Sequence, residues 1–381
     1  MSQLNVYFRF LQFSLGEYEG REFLSGEALR DFDWQAFFRF AKEQTLLGIA
    51  FDGVQRLGKE CAPPQGLLLS WFAIHQQLRM QNLRLNKATA YIYNKVRAEG
   101  FRCCILKGQG NAVMYPHPAS RVPGDVDVWV DASREDIRRL ATLLVRDGGC
   151  VGEESLNHIG LTMHGIAVEL HSTPAILCNP LYNHRLQKWL RENVERQCGN
   201  MVSLPNNTGD VAVPTADFNV VYQLYHLYHH YLYEGIGLRQ FLDYYFVSEE
   251  LRVRSEESNS EACLGDSKDS SLFVFRSSLK KLGLWKFCGA VMYVLHEVMG
   301  VSEERMIAPM DEERGKLLLA EILEGGNFGH HGESRGGALT WRHNLYRLVK
   351  DCKLMRYYPS ECMAEPFYRL YHFLWRKGRI I

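Results

Sequence analysis

Two aspartates two residues apart, Asp125 and Asp127, lie in the run Gly124-Asp125-Val126-Asp127-Val128-Trp129-Val130. In a β-strand, alternate side chains share a face. The two carboxylates then point the same way, and Val126 and Val128 pack on the other side. Like charges held side by side repel, so a fold that keeps both offers them a cation. Magnesium, or manganese in its place, is the natural choice, because it favours hard carboxylate oxygens and shares them with substrate phosphates. The plainer alternative is a strand end carrying two solvated acids.

A third acid, Glu169, stands in Ile166-Ala167-Val168-Glu169-Leu170-His171 and shares its face with His171. A glutamate among such apolar neighbours needs a partner. If its strand lies beside that of Asp125 and Asp127, three carboxylates converge. Such a triad can hold two divalent ions, one activating an acceptor hydroxyl and the other neutralising a triphosphate and its leaving pyrophosphate. His171 is a possible accessory group. A surface acid on an edge strand is the alternative for Glu169. Lys107-Gly108 sits where a strand turns into a helix. Glycine lets a phosphate approach backbone N–H groups, a helix start favours anions, and Lys107 can hold a phosphate as a point charge. Arg121, four residues before Asp125, can also reach phosphate or remain a solvated loop arginine.

A second polar cluster is Tyr225-His226-Leu227-Tyr228-His229-His230-Tyr231. On a helix, His226 and His230 are one turn apart, as are His230 and Glu234. This spacing can bind zinc. No second short-spaced ligand set accompanies it, so a structural or substrate-pocket role is preferred. Arg239 and Asp243 are also one turn apart and permit a local ion pair. In the functional alternative, Gly235-Ile236-Gly237 turns the chain so that Arg239 reaches a triphosphate across the cleft.

Hydrophobic periodicity supplies the elements that hold these residues. Residues 1–100 read as helical. Asp33 caps a helix carrying Trp34, Phe37, Phe38, Ala41 and Thr45, and after Pro63-Pro64 a long helix runs from Leu67 to Ala98. Its charged and glutamine-rich side is expected to face water. Residues 101–172 change character. Phe101 to Leu106 and Val126 to Val130 read as strands, and Gly108 to Tyr115 begins a helix. Ser133 to Val145 is an amphipathic helix capped by Ser133 with Asp136, and Gly148-Gly149 ends it. His158 to Met163 and Ile166 to Leu170 form a hairpin around His164-Gly165. Residues 173–381 return to helix, with Leu204 to Gly209 as a turn-rich loop. Arg252 to Ser271 is expected to be a polar surface loop and Glu324 to Ala338 a glycine-rich loop, a lid or a plain connection bearing His330, His331 and Arg335. Phe273 to Met299 is apolar-periodic. The aromatic, basic tail of Phe367 to Lys377 is expected to be a helix docked on the core, with a membrane surface or an anionic polymer as the alternative.

The chain has 381 residues, 46% of them hydrophobic, with 44 basic and 44 acidic side chains. Zero net charge gives no general argument for a nucleic-acid partner. No apolar run approaches the ~18 residues of a membrane span. The N-terminal residues carry no signal-like pattern. The ten cysteines show no CxxC spacing. These features imply a soluble chain in a reducing, cytoplasmic setting.

Leu106-Lys107-Gly108, then Tyr115-Pro116, Arg121, Asp125-x-Asp127 and a later Glu169-x-His171 resemble the bacterial nucleotidyltransferase-like protein family of the polymerase-β-type superfamily. The Trp34 to Leu57 helices, the Gly235 to Asp243 stretch and Gly325 to His330 extend the resemblance. It implies an α+β fold, a small mixed-sheet core (101–172) embedded between helical regions (1–100 and 173–381). It implies transfer of a nucleoside monophosphate from an NTP, ATP or CTP, to a small-molecule or macromolecular acceptor. Asp125, Asp127 and Glu169 would then be the metal-binding acids, and Lys107, Gly108, Arg121 and Arg239 the nucleotide-binding set. Lys107-Gly108 replaces the superfamily's usual Gly-Ser, which motivates the alternative of a non-catalytic nucleotide-binding or scaffold protein.

Overall fold

The computed structural model describes residues 3–17, 29, 32–261, 275–325, 350 and 352–378. Helices α1 (Gln3–Leu15), α2 (Trp34–Glu43), α3 (Leu47–Gln55) and α4 (Gln65–Ala98) precede the sheet. Asp33 caps α2 by accepting from the Ala36 N–H at 2.9 Å. Trp71 of α4 is fully buried and donates its indole N–H to Leu47 O at 2.9 Å. The long helix does not turn a purely polar side to water. His75, Asn82, Asn86 and Thr89 are buried along it, because the sheet and its loops cover that side.

The sheet has five strands: β1 (Cys103–Leu106), β2 (Val126–Val130), β3 (Gly149–Glu154), β4 (His158–Met163) and β5 (Ile166–His171). Their spatial order is β1-β2-β5-β4-β3. Only β2 and β5 run parallel, with Asp127 opposite Glu169 and Trp129 opposite His171. Strand β3 was not expected. The Gly148-Gly149 pair that ends the preceding helix α6 (Arg134–Leu144) also opens this strand. Its side chains are mostly exposed, so it carries no apolar alternation to announce it.

Alternation does decide the faces of β2. Val126, Val128 and Val130 join the core formed with α6 and the second half of α4, whereas Trp129 joins the larger helical core. Burying each valine contributes about 1.5–3 kcal/mol. Asp127, on the Trp129 side, is therefore carried into the interior by the strand that its neighbours stabilise.

After the sheet come α7 (Pro180–Gly199), a hairpin of β6 (Met201–Ser203) and β7 (Asp210–Ala212), α8 (Ala216–Tyr233) and α9 (Leu238–Glu261). The turn-rich stretch 204–209 is the tip of that hairpin, with Asn206 and Asn207 at φ 60° and 51°. Residues 252–261, expected as loop, extend α9. Arg252–Glu256 and Arg254–Glu250 pair one turn apart along it, which supports a helix without apolar burial. Residues 262–271 lie outside the described residues, as do 326–338, including His330, His331 and Arg335.

The apolar stretch 273–299 is divided at Gly283, φ +76°, before α10 (Trp285–Val294). Helix α11 (Glu312–Gly325) follows, and α12 (Pro359–Lys377) closes the described chain. The tail docks only in part. Glu361, Cys362 and Glu365 are buried, but Phe367 is 76% exposed, and Leu370, Tyr371 and Leu374 are exposed with it. No helix among the described residues is long and apolar enough to cross a membrane.

Candidate active site

The parallel pairing of β2 with β5 places Glu169 beside Asp127. Asp125 lies one residue before β2 begins rather than within it, and it opens to solvent while Asp127 is 1% exposed. Asp125, Asp127 and Glu169 each offer a carboxylate oxygen, and the three oxygens lie within 4.8 Å of one another. Glu169 is not an edge residue, since β5 is flanked by β2 and β4.

Lys107 enters this cluster directly. Its Nζ stands 3.0 Å from Asp127 Oδ1. The lysine is the residue before α5 (Gly108–Ala112) and adopts φ 42°, while Gly108 follows at φ +44°. A Cβ at Gly108 would stand 3.2 Å from the backbone oxygen of Asp125 in a left-handed conformation, so glycine suits both the turn and the close approach. Strand β1 ends where Leu106 pairs with Asp127, and the left-handed turn then brings the Lys107 ammonium to Asp127 on the neighbouring strand β2.

His171 supports the same oxygen. Its Nε2 lies 3.0 Å from Asp127 Oδ1 and 3.3 Å from Glu169 Oε2. His158, opposite His171 on β4, stands 3.6 Å from Glu169 Oε1. Burial alone would raise the Asp127 carboxyl, but Lys107 and His171 together hold it well below the usual carboxylate range. Burial opposes protonation of His171, yet its hydrogen bonds to Asp127 and Glu169 raise its pKa. Burial, then His171, lowers that of His158. Asp125 moves upward, chiefly because the Asp127 charge repels its own. Among the described residues no ion pair reaches Asp125, so the outermost carboxylate is the least compensated.

The two arginines are placed differently from expectation. Arg121 is buried and grips Asp243 with Nε and Nη2, each 2.8 Å from a carboxylate oxygen, while Tyr115 donates its hydroxyl to Asp243 at 2.6 Å. Asp243 thus takes its ion pair from the loop before β2, not from Arg239 on its own helix. Arg239 extends towards that loop, with Nη1 3.5 Å from Val122 O. Burial, then the nearby Arg121 charge, lowers the Arg239 pKa. Helix α9 starts at Leu238, whose N–H donates to Gln44 Oε1 at 3.0 Å.

On α8, His230 Nε2 meets His226 Nε2 at 3.0 Å, and His230 Nδ1 meets Glu234 Oε2 at 2.9 Å. His226, His230 and Glu234 therefore form a chain of close polar contacts. It does not join the three acids in a metal-capable group among the described residues. Burial, then the positive field of Lys107, holds His226 far below the ordinary imidazole value.

Sequence reasoning missed His158 and a ladder of buried amides. Gln109 of α5 bonds to Asn82, at 3.4 Å, and to Asn86 of α4, while Asn111 accepts from Asn219 of α8 at 3.1 Å and Gln223 donates to Asn219 at 3.2 Å. These contacts pin the Lys107-Gly108 turn from two sides. Their signal was legible as amides four residues apart, Asn82/Asn86 and Asn219/Gln223, on otherwise apolar helix faces. The loop before β2 is held as well. Ser120 donates to Asp52 at 2.9 Å, and Asn82 donates to Arg121 O at 2.8 Å. A Cβ at Gly48 would sit 1.9 Å from Ser120 O, so α3 approaches this loop closely only through glycine.

A family profile described as an uncharacterised nucleotidyltransferase matches residues 30–300. No curated protein matches the chain. Among solved structures, an antigenic nucleotidyltransferase-like protein from Paracoccidioides brasiliensis is similar over 60% of this chain and 95% of its own, at 12% identity and a TM-score of 0.33.

Proposed function

Because the chain belongs to this family of uncharacterised nucleotidyltransferases, we propose that it transfers a nucleoside monophosphate from an NTP, ATP or CTP, to a hydroxyl-bearing acceptor. The supporting observation is the convergence of Asp125, Asp127 and Glu169 within 4.8 Å. The donor set is all carboxylate oxygen and includes one acid without an ion pair among the described residues, which fits a hard divalent cation, magnesium or manganese. When bound, such an ion lowers the pKa of the acceptor hydroxyl and offsets phosphate charge. In the reaction the acceptor oxygen bonds to the α-phosphorus and the α–β bridge breaks. Pyrophosphate leaves and the hydroxyl proton passes to water.

The chain's own groups prepare that step. Lys107 and His171 hold Asp127 ionised and fixed in direction. Gly108 lets the turn pack against the Asp125 backbone, where a side chain would crowd the carbonyl oxygen. Arg239, in the loop-facing wall next to Gly124, places positive charge near the mouth where Asp125 lies. Arg121 acts at one remove, because its guanidinium is committed to Asp243 and fixes the loop that leads into β2.

NTP turnover with a panel of hydroxyl acceptors tests the proposal. Wild type is expected to release pyrophosphate in a magnesium-dependent way, and Asp127→Asn to lose at least about 10²-fold in rate, as when a preorganised charge-stabilising group is removed. Equal inertness of both proteins, with no magnesium-dependent NTP binding, would sink it. The Lys107–Asp127 contact favours a second reading, a nucleotide-binding protein without turnover. Calorimetry separates the two, since that reading requires ATP or CTP to bind equally with and without magnesium.

A further inference from the structure

The acid cluster already contains one cation that cannot diffuse away. Lys107 reaches Asp127 Oδ1 at 3.0 Å, an ion-ligand geometry supplied by the chain itself. Asp127 is 1% exposed, and the Lys107 side chain is 16% exposed. The same oxygen accepts from His171 at 3.0 Å. Asp127 Oδ1 therefore has two positive or donating neighbours before any ion arrives.

We propose that Lys107 occupies one of two cation positions in this site, so that the nucleotide-free protein takes a single divalent ion, at the Asp125 side of the cluster. The inference rests on the nucleotidyl-transfer reading for its cleft but not for its stoichiometry.

Charge supports the assignment. Three carboxylates converge, and Lys107 offsets one of them. Two negative charges remain. A single divalent ion neutralises these. A second would leave two positive charges uncompensated beside the buried Asp127, and uncompensated charge next to a buried group is costly. Position agrees with charge. His158, Glu169 and His171 also form a metal-capable group, but His171 Nε2 is engaged with Asp127 and Glu169 at 3.0 and 3.3 Å, whereas no ion pair among the described residues reaches Asp125, so its oxygens are the ones left to a mobile ion.

Backbone geometry argues against a casual contact. Lys107 is held at φ 42° directly before a helix whose residues 108–112 are all buried. The amide ladder fixes that helix between α4 and α8. The ammonium is thus built into the turn, not swept in from a flexible surface.

The test is a manganese titration of the full chain without nucleotide, reading free aquo-Mn2+ by electron paramagnetic resonance. Wild type is expected to bind one ion. Lys107→Met, which keeps the length and removes the charge, is expected to bind two, with spectral broadening from neighbouring spins. Lys107→Arg keeps the charge and should remain at one. Two ions or none in wild type, or one ion in Lys107→Met, would overturn the proposal. If Lys107→Met does not fold, the wild-type and Lys107→Arg stoichiometries still decide, because two ions in either refutes it. Turnover is not read. A site that binds one ion and gains a second in Lys107→Met, in a protein without NTP turnover, would uphold the lysine's role and reject the catalytic reading. Two ions in an active wild type would do the reverse.

Discussion

At Asp127 a lysine and a histidine converge on one carboxylate oxygen. At an effective dielectric of about 20, its attraction to Lys107 is worth roughly 5 kcal/mol. Removing both charges from water costs a comparable amount. The pair is therefore nearly neutral for stability, and its consequence is an ionised, oriented carboxylate. His171 shapes the same group through a hydrogen bond. Outer-shell partners of this kind typically carry 10–100-fold in metal affinity. His171→Ala is thus expected to weaken Mn2+ binding by about 10–100-fold while far-ultraviolet circular dichroism is unchanged. Unchanged affinity would show that Lys107 alone orients Asp127. One role assigned from residue type shifts at this scale, since Arg121 can touch phosphate only by leaving Asp243. His230 lies between His226 and Glu234, in keeping with the structural role preferred for that cluster.

The elements are joined through ion pairs as much as through apolar contact. The fully buried Arg121–Asp243 bridge links the loop before β2 to α9. Arg121→Met leaves a buried carboxylate without its cation, and is expected to cost about 3–5 kcal/mol in urea unfolding. Arg121→Met with Asp243→Leu should recover most of that loss, since the uncompensated charge is gone. A double variant as unstable as the single one would mean that shape matters more than charge here. The pH dependence has a definite sign. Burial would raise the Asp243 carboxyl, but Arg121 and Tyr115 lower it below its ordinary 3.8. The folded state then binds fewer protons than the unfolded one. The contribution is complete above pH 3.8 and is lost as pH falls from there through the folded value. Denaturation between pH 4 and 2 should show a smaller acid-driven loss in the double variant.

For the molecule as a whole, α12 presents two faces. His372 stacks on Trp375, which lies under the Arg134 guanidinium at 4.4 Å. The opposite face, Met363, Phe367, Leu370, Tyr371 and Leu374, is exposed. Phe367→Lys with Leu370→Lys is therefore expected to change unfolding free energy by no more than about 0.5 kcal/mol per site, with less self-association in light scattering. A larger loss of melting temperature would mean that this face is covered in the intact protein.

The sequence by itself determined the strands β1, β2, β4 and β5, the helices with clear apolar periodicity, the caps Asp33 and Ser133, and the candidate acids. Each depends on neighbours a few residues away, where side-chain period and capping chemistry suffice. It did not determine β3 or the 201–212 hairpin, whose side chains are too exposed or too few to show a period, or the last turns of α9, held by charge pairs alone. Tertiary structure decided everything that needed two distant segments. The parallel register of β2 on β5 brought Glu169 to Asp127, and the left-handed turn at Lys107 returned an ammonium to the same oxygen. Packing of α9 against the loop before β2 gave Asp243 to Arg121 instead of Arg239. One-turn spacing permits an ion pair, but a carboxylate buried between elements takes whichever cation the packing delivers to it.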